Sequence, residues 1–391
     1  MNKHSKTPAK SKSKSGTAVT ARRKSPGAQC TRGRLAIGVD LGDRYSEICV
    51  LDEAGEIESQ ARVRTTPEAL RQYFVVPQPA RVAIETGTHS GWVSRLLAEC
   101  GHDVTVANAR ELRKIHQSNH KNDRADAQIL ARMVRFDRQL LSPIQHRSAE
   151  LQADLALVRA RDTLVSARAK FTNTARGLVK AMGGRLPHSS TSSFVRRVRD
   201  HVPAELQPAV MPLVAMVEAL SEQIHAYDEQ IAALAKERYP HTALLQQVAG
   251  VGALTSLAFV LTLADKDRFA CSRDVGPYLG LVPRQQDSGE RSPQLSITKA
   301  GNGYLRRILV GSAQYILGPF GPDTDLRRFG LSLAQRGGKN AKKRAVVAVA
   351  RKLAILLHRL WVTAEIYEPL RNTHLLERRA AQPQPLKPLT L

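Results

Sequence analysis

Leu35-Ala36-Ile37-Gly38-Val39-Asp40-Leu41-Gly42 reads as a buried strand that ends in an acid and a glycine. A second run, Tyr45-Ser46-Glu47-Ile48-Cys49-Val50-Leu51, follows at once. Asp52-Glu53-Ala54-Gly55 turns the chain, and Glu56 to Arg64 reads as a third strand. The three make a meander with Asp40 on its first strand. Ala80-Arg81-Val82-Ala83-Ile84-Glu85 is a further strand ending in an acid, followed by Thr86-Gly87. Trp92, Val93, Leu96 and Leu97 then recur at helical spacing, and His102 to Ala107 is another β-unit. Asp40 and Glu85 therefore both stand at the C-terminal ends of strands, the edge at which sites assemble in α/β sheets.

Downstream lies His120-Lys121-Asn122-Asp123-Arg124-Ala125-Asp126-Ala127-Gln128-Ile129-Leu130. Its two aspartates are three residues apart at the start of an apolar helical pattern, so both carboxylates share one helix face near an N-terminus that favours negative charge. Taken alone, Asp-x-x-Asp is a solvated helix face with Arg124 as a surface partner. Joined to Asp40 and Glu85 it completes the order D…E…D-x-x-D. An α/β ribonuclease-H-like sheet would bring these four to one edge, where hard carboxylate oxygens suit Mg²⁺ or Mn²⁺ acting on a phosphodiester. The same strand-Asp-Leu-Gly opening also begins the actin, Hsp70 and sugar-kinase ATPases. Those need a second glycine-rich phosphate motif late in the chain, for which Asp287-Ser288-Gly289 is a faint counterpart in a different context.

Bulk properties narrow the partners. The 391 residues suffice for two or three domains, and a net charge of +24 with a pI near 10.4 points to a polyanion, most simply nucleic acid. An anionic membrane surface is the competing partner, but no apolar run is long enough to span a bilayer and no signal-peptide core is present. Cys30, Cys49, Cys100 and Cys271 are scattered, which argues against zinc or a disulfide framework and fits a reducing cytoplasm. Residues 1–34 hold ten Lys or Arg and no acid, a composition that cannot bury a core; the segment serves as a nucleic-acid arm or as a solubility tail.

From Arg147 to about Lys180, Leu151, Leu155, Val158, Leu164 and Val165 predict a helix. Gly183 to Pro187 and the serine-rich run 189–193 break it, and a second long helix is predicted from Pro208 to Arg238. The pair is a domain connector or a coiled-coil-like dimerisation element. Beyond it, Val248-Ala249-Gly250-Val251-Gly252-Ala253-Leu254-Thr255 resembles a helix-hairpin-helix turn, whose glycines let backbone amides approach a phosphate; an ordinary turn is the equal alternative. Between Arg327 and Arg359 there are ten Lys or Arg and no acid. There Arg336 to Arg344, including Lys339, Lys342, Lys343 and Arg344, leads into an apolar helix from Val346 to Leu357, a basic start suited to backbone phosphates. From about Arg371 the chain is polar and expected to be disordered.

Gly38-Val39-Asp40, Ile84-Glu85-Thr86-Gly87, Ala107-Asn108-Ala109 and Lys121 to Ala127 resemble the RuvC-like DEDD domain of a bacterial transposase family, insertion-sequence family one hundred and ten. Asn122 stands where Thr is commoner, and the basic tail is longer than family members carry. Arg268 to Arg273, Tyr278 to Arg284, Asp287-Ser288-Gly289, Ile297 to Asn302 and Leu305 to Leu309 resemble the same family's second, transposase domain. The resemblance implies a RuvC-like domain at 35–146, a helical coiled-coil connector at 147–238 that pairs protomers, and a mostly helical serine-bearing domain at 239–370; composition sets off the tails at 1–34 and 371–391. It implies Ser288 as nucleophile. Its neighbours Arg284, Arg291 and Lys299 could neutralise charge on the phosphorane, and Arg306 and Arg307 are further candidate nucleic-acid contacts. It also implies donor and target DNA, a structured guide (bridge) RNA, and a dimer or tetramer with a composite site across protomers. The place of work would be the bacterial cytoplasm, at the nucleoid. A hydrolytic RuvC-like junction resolvase or nuclease would need the acids but not Ser288; a catalytically dead nucleic-acid-binding protein would need neither.

Overall fold

A computed structural model describes residues 35–75, 78–109, 122–288, 293 and 295–374. The basic segment 1–34, Lys121, Gly289, Arg291 and the chain beyond 374 lie outside the described residues. The chain divides into two compact units between His146 and Arg147.

The first unit runs β1 (Ala36–Leu41), β2 (Tyr45–Leu51), β3 (Ile57–Arg64), α1 (Pro67–Phe74), β4 (Arg81–Glu85), α2 (Ser90–Glu99), β5 (Asp103–Ala107) and α3 (Asp123–Phe136). Its sheet is mixed, in the order β3-β2-β1-β4-β5. The first three strands are antiparallel, while β4 lies parallel to β1 and β5 parallel to β4. This five-stranded sheet is consistent with the ribonuclease-H-like expectation.

The alternation along β1 decides what covers each face. Ile37 and Val39, with Ile48, Val50, Val82 and Ile84, join Leu70, Phe74, Val93, Leu96 and Leu97 in the core on the side of α1 and α2. On the opposite face Ala36, Ala83 and Ala107 pack with Ala127, Leu130 and Ala131 of α3. Small residues let the helix lie close. A Cβ on Gly38 would stand 1.9 Å from the Ala127 carbonyl oxygen and 2.4 Å from the Ala131 nitrogen, so only glycine admits α3 at this depth.

The second unit contains α4 (Ala149–Ala181), α5 (Phe194–Val198), α6 (Gln207–Glu237), α7 (Thr242–Gln246), α8 (Ala253–Leu263), α9 (Val275–Tyr278), α10 (Gly303–Leu317), α11 (Asp325–Gln335) and α12 (Ala341–Thr363). The two long helices fall where the apolar spacing puts them. Val210, Val214 and Val217 of α6 close a small core with Ala175, Val179 and Phe194. At the other end of the hairpin, Leu155, Val158, Ile231 and Ala235 enter the main core with α8, α10 and α12. The helix predicted from Val346 starts earlier, at Ala341, so Lys342, Lys343 and Arg344 are its first turn rather than a leader to it. No helix of the described residues is long and apolar enough to cross a membrane.

The expected disorder from Arg371 is corrected for its first four residues. Residues 371–374 are helical. The Arg371 guanidinium pairs with Glu365 at 2.7 Å, and Asp325 accepts from the Asn372 amide and the Thr373 hydroxyl.

Candidate functional site

The acids of the first unit are set out by strand register. Asp40 pairs across with Glu47 of β2, and Val39 pairs with Ile84 of β4, so Asp40 and Glu85 are the next residues on adjacent parallel strands. Asp40 lies two residues after Gly38 and Glu85 two after Ala83, on the face that α3 covers. Glu85 ends its strand at a fixed corner, because both the backbone N–H and the hydroxyl of Thr86 donate to the Ala107 carbonyl.

Above this edge sits the N-terminus of α3. Asn122 caps it: its backbone is extended and its side chain accepts from the Arg124 amide at 3.1 Å. Asn and Thr are both capping residues, which accounts for the departure from the usual Thr. Ala127 and Ala131 face the sheet, so Asp123, one turn before Ala127, overhangs the Asp40 end of β1. Arg124 reaches the opposite way, to Glu47 of β2 at 3.5 Å. Asp126, about 200° round the helix from Arg124 at about 100° per residue, therefore lies on the β4 flank, where Glu85 is. Asp123 is exposed; Asp40, Glu85 and Asp126 are half-buried.

Arg124, the surface partner in the solvated-face alternative, makes its ion pair with Glu47. Among the described residues no group of three His, Cys, Asp or Glu that could hold a metal ion is present. The donor chemistry of the four carboxylates fits a hard divalent cation, and the backbone puts them on one face of one edge.

Glu47 is the residue that sequence reasoning missed. Its side chain is only 14 % exposed, held between Arg62 at 3.4 Å and Arg124 at 3.5 Å. The signal was present in β2, where Cys49 and Leu51 on the same face are buried and an acid two residues earlier falls beside Asp40.

In the second unit, Pro283 bridges Ile297, the Arg284 amide donates to Ser296 O and the Thr298 amide to Val282 O. This short ladder leads into an exposed irregular stretch, 284–287, that ends at Ser288, itself exposed and in a β-bridge position. The base of the loop is tight. Lys299 is held at φ 56°, and Gly280, at φ 66°, lies so near the chain that a Cβ would meet the Ala300 nitrogen at 2.3 Å.

The basic residues divide into two kinds. Arg306, expected on nucleic acid, donates Nη1 to the carbonyls of Leu279 (2.8 Å) and Ala300 (2.7 Å), tying together the two ends of the Ser288 segment. Arg307 pairs with Asp162 at 2.5 Å and lies over the Tyr304 ring. Burial, then the charge of Asp162, pushes the Tyr304 phenol up to about 12. Arg284, Lys299, Lys339, Lys342, Lys343 and Arg344 are exposed. The segment before α12 turns through Gly337 and Gly338, at φ 78° and 91°. Gly250, at φ 82°, and the exposed Gly252 form the entry to α8, whose residues from Thr255 to Leu263 are all buried.

Comparison with known proteins places both units. A transposase profile of the DEDD kind found in insertion sequence IS110 matches residues 37–183, from β1 through α4. A second profile, described as the transposase IS116/IS110/IS902 family, matches residues 242–324, including the Ser288 loop. The transposase for insertion sequence element IS1328 of Yersinia enterocolitica is 30 % identical over 286 residues, which is 71 % of this chain and 82 % of that protein. The transposase for insertion sequence element IS1111A of Coxiella burnetii is 29 % identical over 85 % of this chain and 90 % of its own length. A probable family 20 transposase of Pseudomonas aeruginosa is 28 % identical over 85 % and 98 %.

Proposed function

This chain belongs to the IS116/IS110/IS902 family of transposases, and on that premise we propose that it cuts and rejoins DNA through a serine ester formed at Ser288. The observation that carries the proposal is the pairing of an acidic sheet edge in one compact unit with an exposed serine on a pinned loop in the other. The acids are Asp40, Glu85, Asp123 and Asp126.

In the proposed step the Ser288 hydroxyl attacks a backbone phosphorus. An Oγ–P bond forms, one P–O bond to deoxyribose breaks, the serine proton leaves to a base, and the departing sugar oxygen takes up a proton. One phosphoester replaces another, so the reverse attack by a sugar hydroxyl rejoins the strand without ATP. A serine hydroxyl is a weak nucleophile and needs activation. Arg284 and Lys299 are the described cations near it in sequence that can offset charge on the phosphorane. Asp40, Glu85, Asp123 and Asp126 are the residues that would hold Mg²⁺ or Mn²⁺; when bound, such an ion orients and polarises a phosphodiester.

A structured guide RNA and a dimer or tetramer are part of the proposal on the family resemblance alone, with the α4–α6 hairpin as the pairing element. RNA recovered with the purified protein tests the first, and sedimentation of the full chain tests the second.

The decisive experiment traps the reaction on a nicked duplex and resolves it by denaturing electrophoresis. Wild-type protein is expected to carry a covalently joined DNA strand, and Ser288→Ala to carry none while still binding DNA. Cleavage by Ser288→Ala at the wild-type rate would leave a metal nuclease in place of a serine recombinase. Manganese titration of Asp123→Asn against wild type checks the acidic edge without reference to activity.

A further inference from the structure

The hairpin of the second unit holds a cleft of about 240 Å³ between α4 and the serine-rich segment that follows it. Arg168, Thr172 and Arg176, four residues apart, form one stripe on α4, with Asn173 beside them and Ser189 and Ser190 opposite. No acid lines the cleft among the described residues. The nearest carboxylate that bears on Arg168, Asp228, is already committed to Arg161 through two hydrogen bonds of 2.9 and 3.1 Å.

The polar groups of the cleft are incompletely satisfied. Arg176 is held in place by Nη2 bonds to the Ser189 carbonyl (3.2 Å) and hydroxyl (3.0 Å), and its guanidinium lies 5.5 Å from the Phe194 ring centre. Its Nε is buried with no partner, and so is the Thr172 hydroxyl. Arg168 gives one Nη to Ser221 at 3.2 Å. Burial, then the neighbouring charge of Arg161, pushes the Arg168 guanidinium below its ordinary range. A buried donor without an acceptor costs about 1–3 kcal/mol, so such groups in a native fold call for an occupant. What is short here is acceptors: two guanidinium groups and a hydroxyl line a space to which no carboxylate contributes among the described residues. The space falls below the roughly 300 Å³ where drug-sized pockets begin, and an oxyanion supplies what it lacks.

We propose that this cleft is a phosphate seat, in which Arg168, Thr172 and Arg176 take one backbone phosphodiester of the DNA the protein acts on. The assignment rests on the reading that the chain acts on DNA but not on serine chemistry. It gives the hairpin a role in gripping nucleic acid and absorbs the serine-rich run 189–193.

The test measures equilibrium binding of the full-length protein to a duplex oligonucleotide across a salt series. Asn173→Asp adds a carboxylate to the lining with almost no change of shape; Arg168→Gln removes a cation, and melting curves establish that each variant is folded. One lost phosphate contact lowers the slope of log K against log salt by about 0.9. Both variants are expected to show that fall, with binding at low salt weakened about tenfold. Inorganic phosphate, exchanged for chloride at constant ionic strength, is expected to raise the melting temperature of wild type but not of Asn173→Asp.

An unchanged slope in Asn173→Asp overturns the proposal, even where Arg168→Gln fails to fold. Stabilisation by inorganic phosphate with an unchanged slope makes the cleft a free-anion site and also overturns it. So does a slope change seen with a matched RNA hairpin but not with duplex DNA. Because the readout is binding, a failure of the serine mechanism leaves the result interpretable.

Discussion

Gly38→Ala tests whether the depth of α3 on the sheet sets the acidic edge. The added Cβ would lie 1.9 Å from Ala127 O and 2.4 Å from Ala131 N, both backbone atoms, where real Cβ contacts essentially never fall below 3.0 Å. β1 is hydrogen-bonded on both sides, to β2 and β4, so the helix is the part that yields. Opening 1.9 Å to 3.0 Å moves α3 outward by at least 1.1 Å, and Asp123 and Asp126 travel with it. Overpacking of this kind costs about 1–3 kcal/mol, partly offset by roughly 0.5–1 kcal/mol from removing a strand glycine. A misplacement of about 1 Å in a catalytic constellation costs on the order of 10²-fold in rate. The expected result is a folded protein with a melting temperature a few degrees lower, strand cleavage down about 10²-fold, and weaker Mn²⁺ binding by titration. Gly87→Ala is the control: it lies two residues after Glu85, yet its Cβ would meet nothing within 4 Å, so activity should stay within twofold of wild type, roughly the scatter of a surface substitution. Wild-type cleavage and manganese affinity in folded Gly38→Ala would refute the argument that close packing of α3 positions the carboxylates.

Arg306→Gln removes a charged donor from two carbonyls and is expected to lower stability by about 1.5–3 kcal/mol while leaving the salt slope of DNA binding unchanged; a lower slope with unchanged melting would return Arg306 to the nucleic-acid interface. The second unit is expected to melt at lower temperature as pH falls. Burial is the largest influence on both His241 and His358 and pushes each below its ordinary value of 6.5, so the unfolded chain takes up protons first. The neutral rings' contribution is whole above about pH 6.5 and is lost as pH drops below it; His358→Gln should flatten the difference between melting at pH 7.5 and 5.5, and an unchanged difference would show that other groups carry it.

The first unit was legible because its strands advertise both faces. Large residues at Ile37 and Val39 and small ones at Ala36 and Gly38 encode different neighbours, and the acids at strand ends fall into register once the strands pair. The spacing of Asp123 and Asp126 was likewise enough to put them on one helix face. It could not show that Asn122 would cap that helix or that Glu47 would hold Arg124, since both depend on which strand the helix crosses. The start of α12 was misjudged for a different reason. Lys342, Lys343 and Arg344 break the apolar pattern without breaking the helix, because Lys and Arg are good helix formers and the pattern records only what the core requires.

The two fates of the arginines show where charge counting stops being informative. Arg306 and Arg307 sit side by side in a strongly basic chain, and both were expected on nucleic acid. One is spent on backbone carbonyls and the other on Asp162. Arg168 and Arg176, inside a stretch read only as a hairpin, line a cleft that has donors left over. Net charge fixes the class of partner, because long-range attraction sums over every cation wherever it stands. The grip on a particular phosphate is local, and depends on whether a guanidinium's own chain has already supplied its acceptors. For a basic protein the useful question at each arginine is which oxygen it already holds: Arg306 Nη1 holds two backbone carbonyls, while Arg176 Nε holds none.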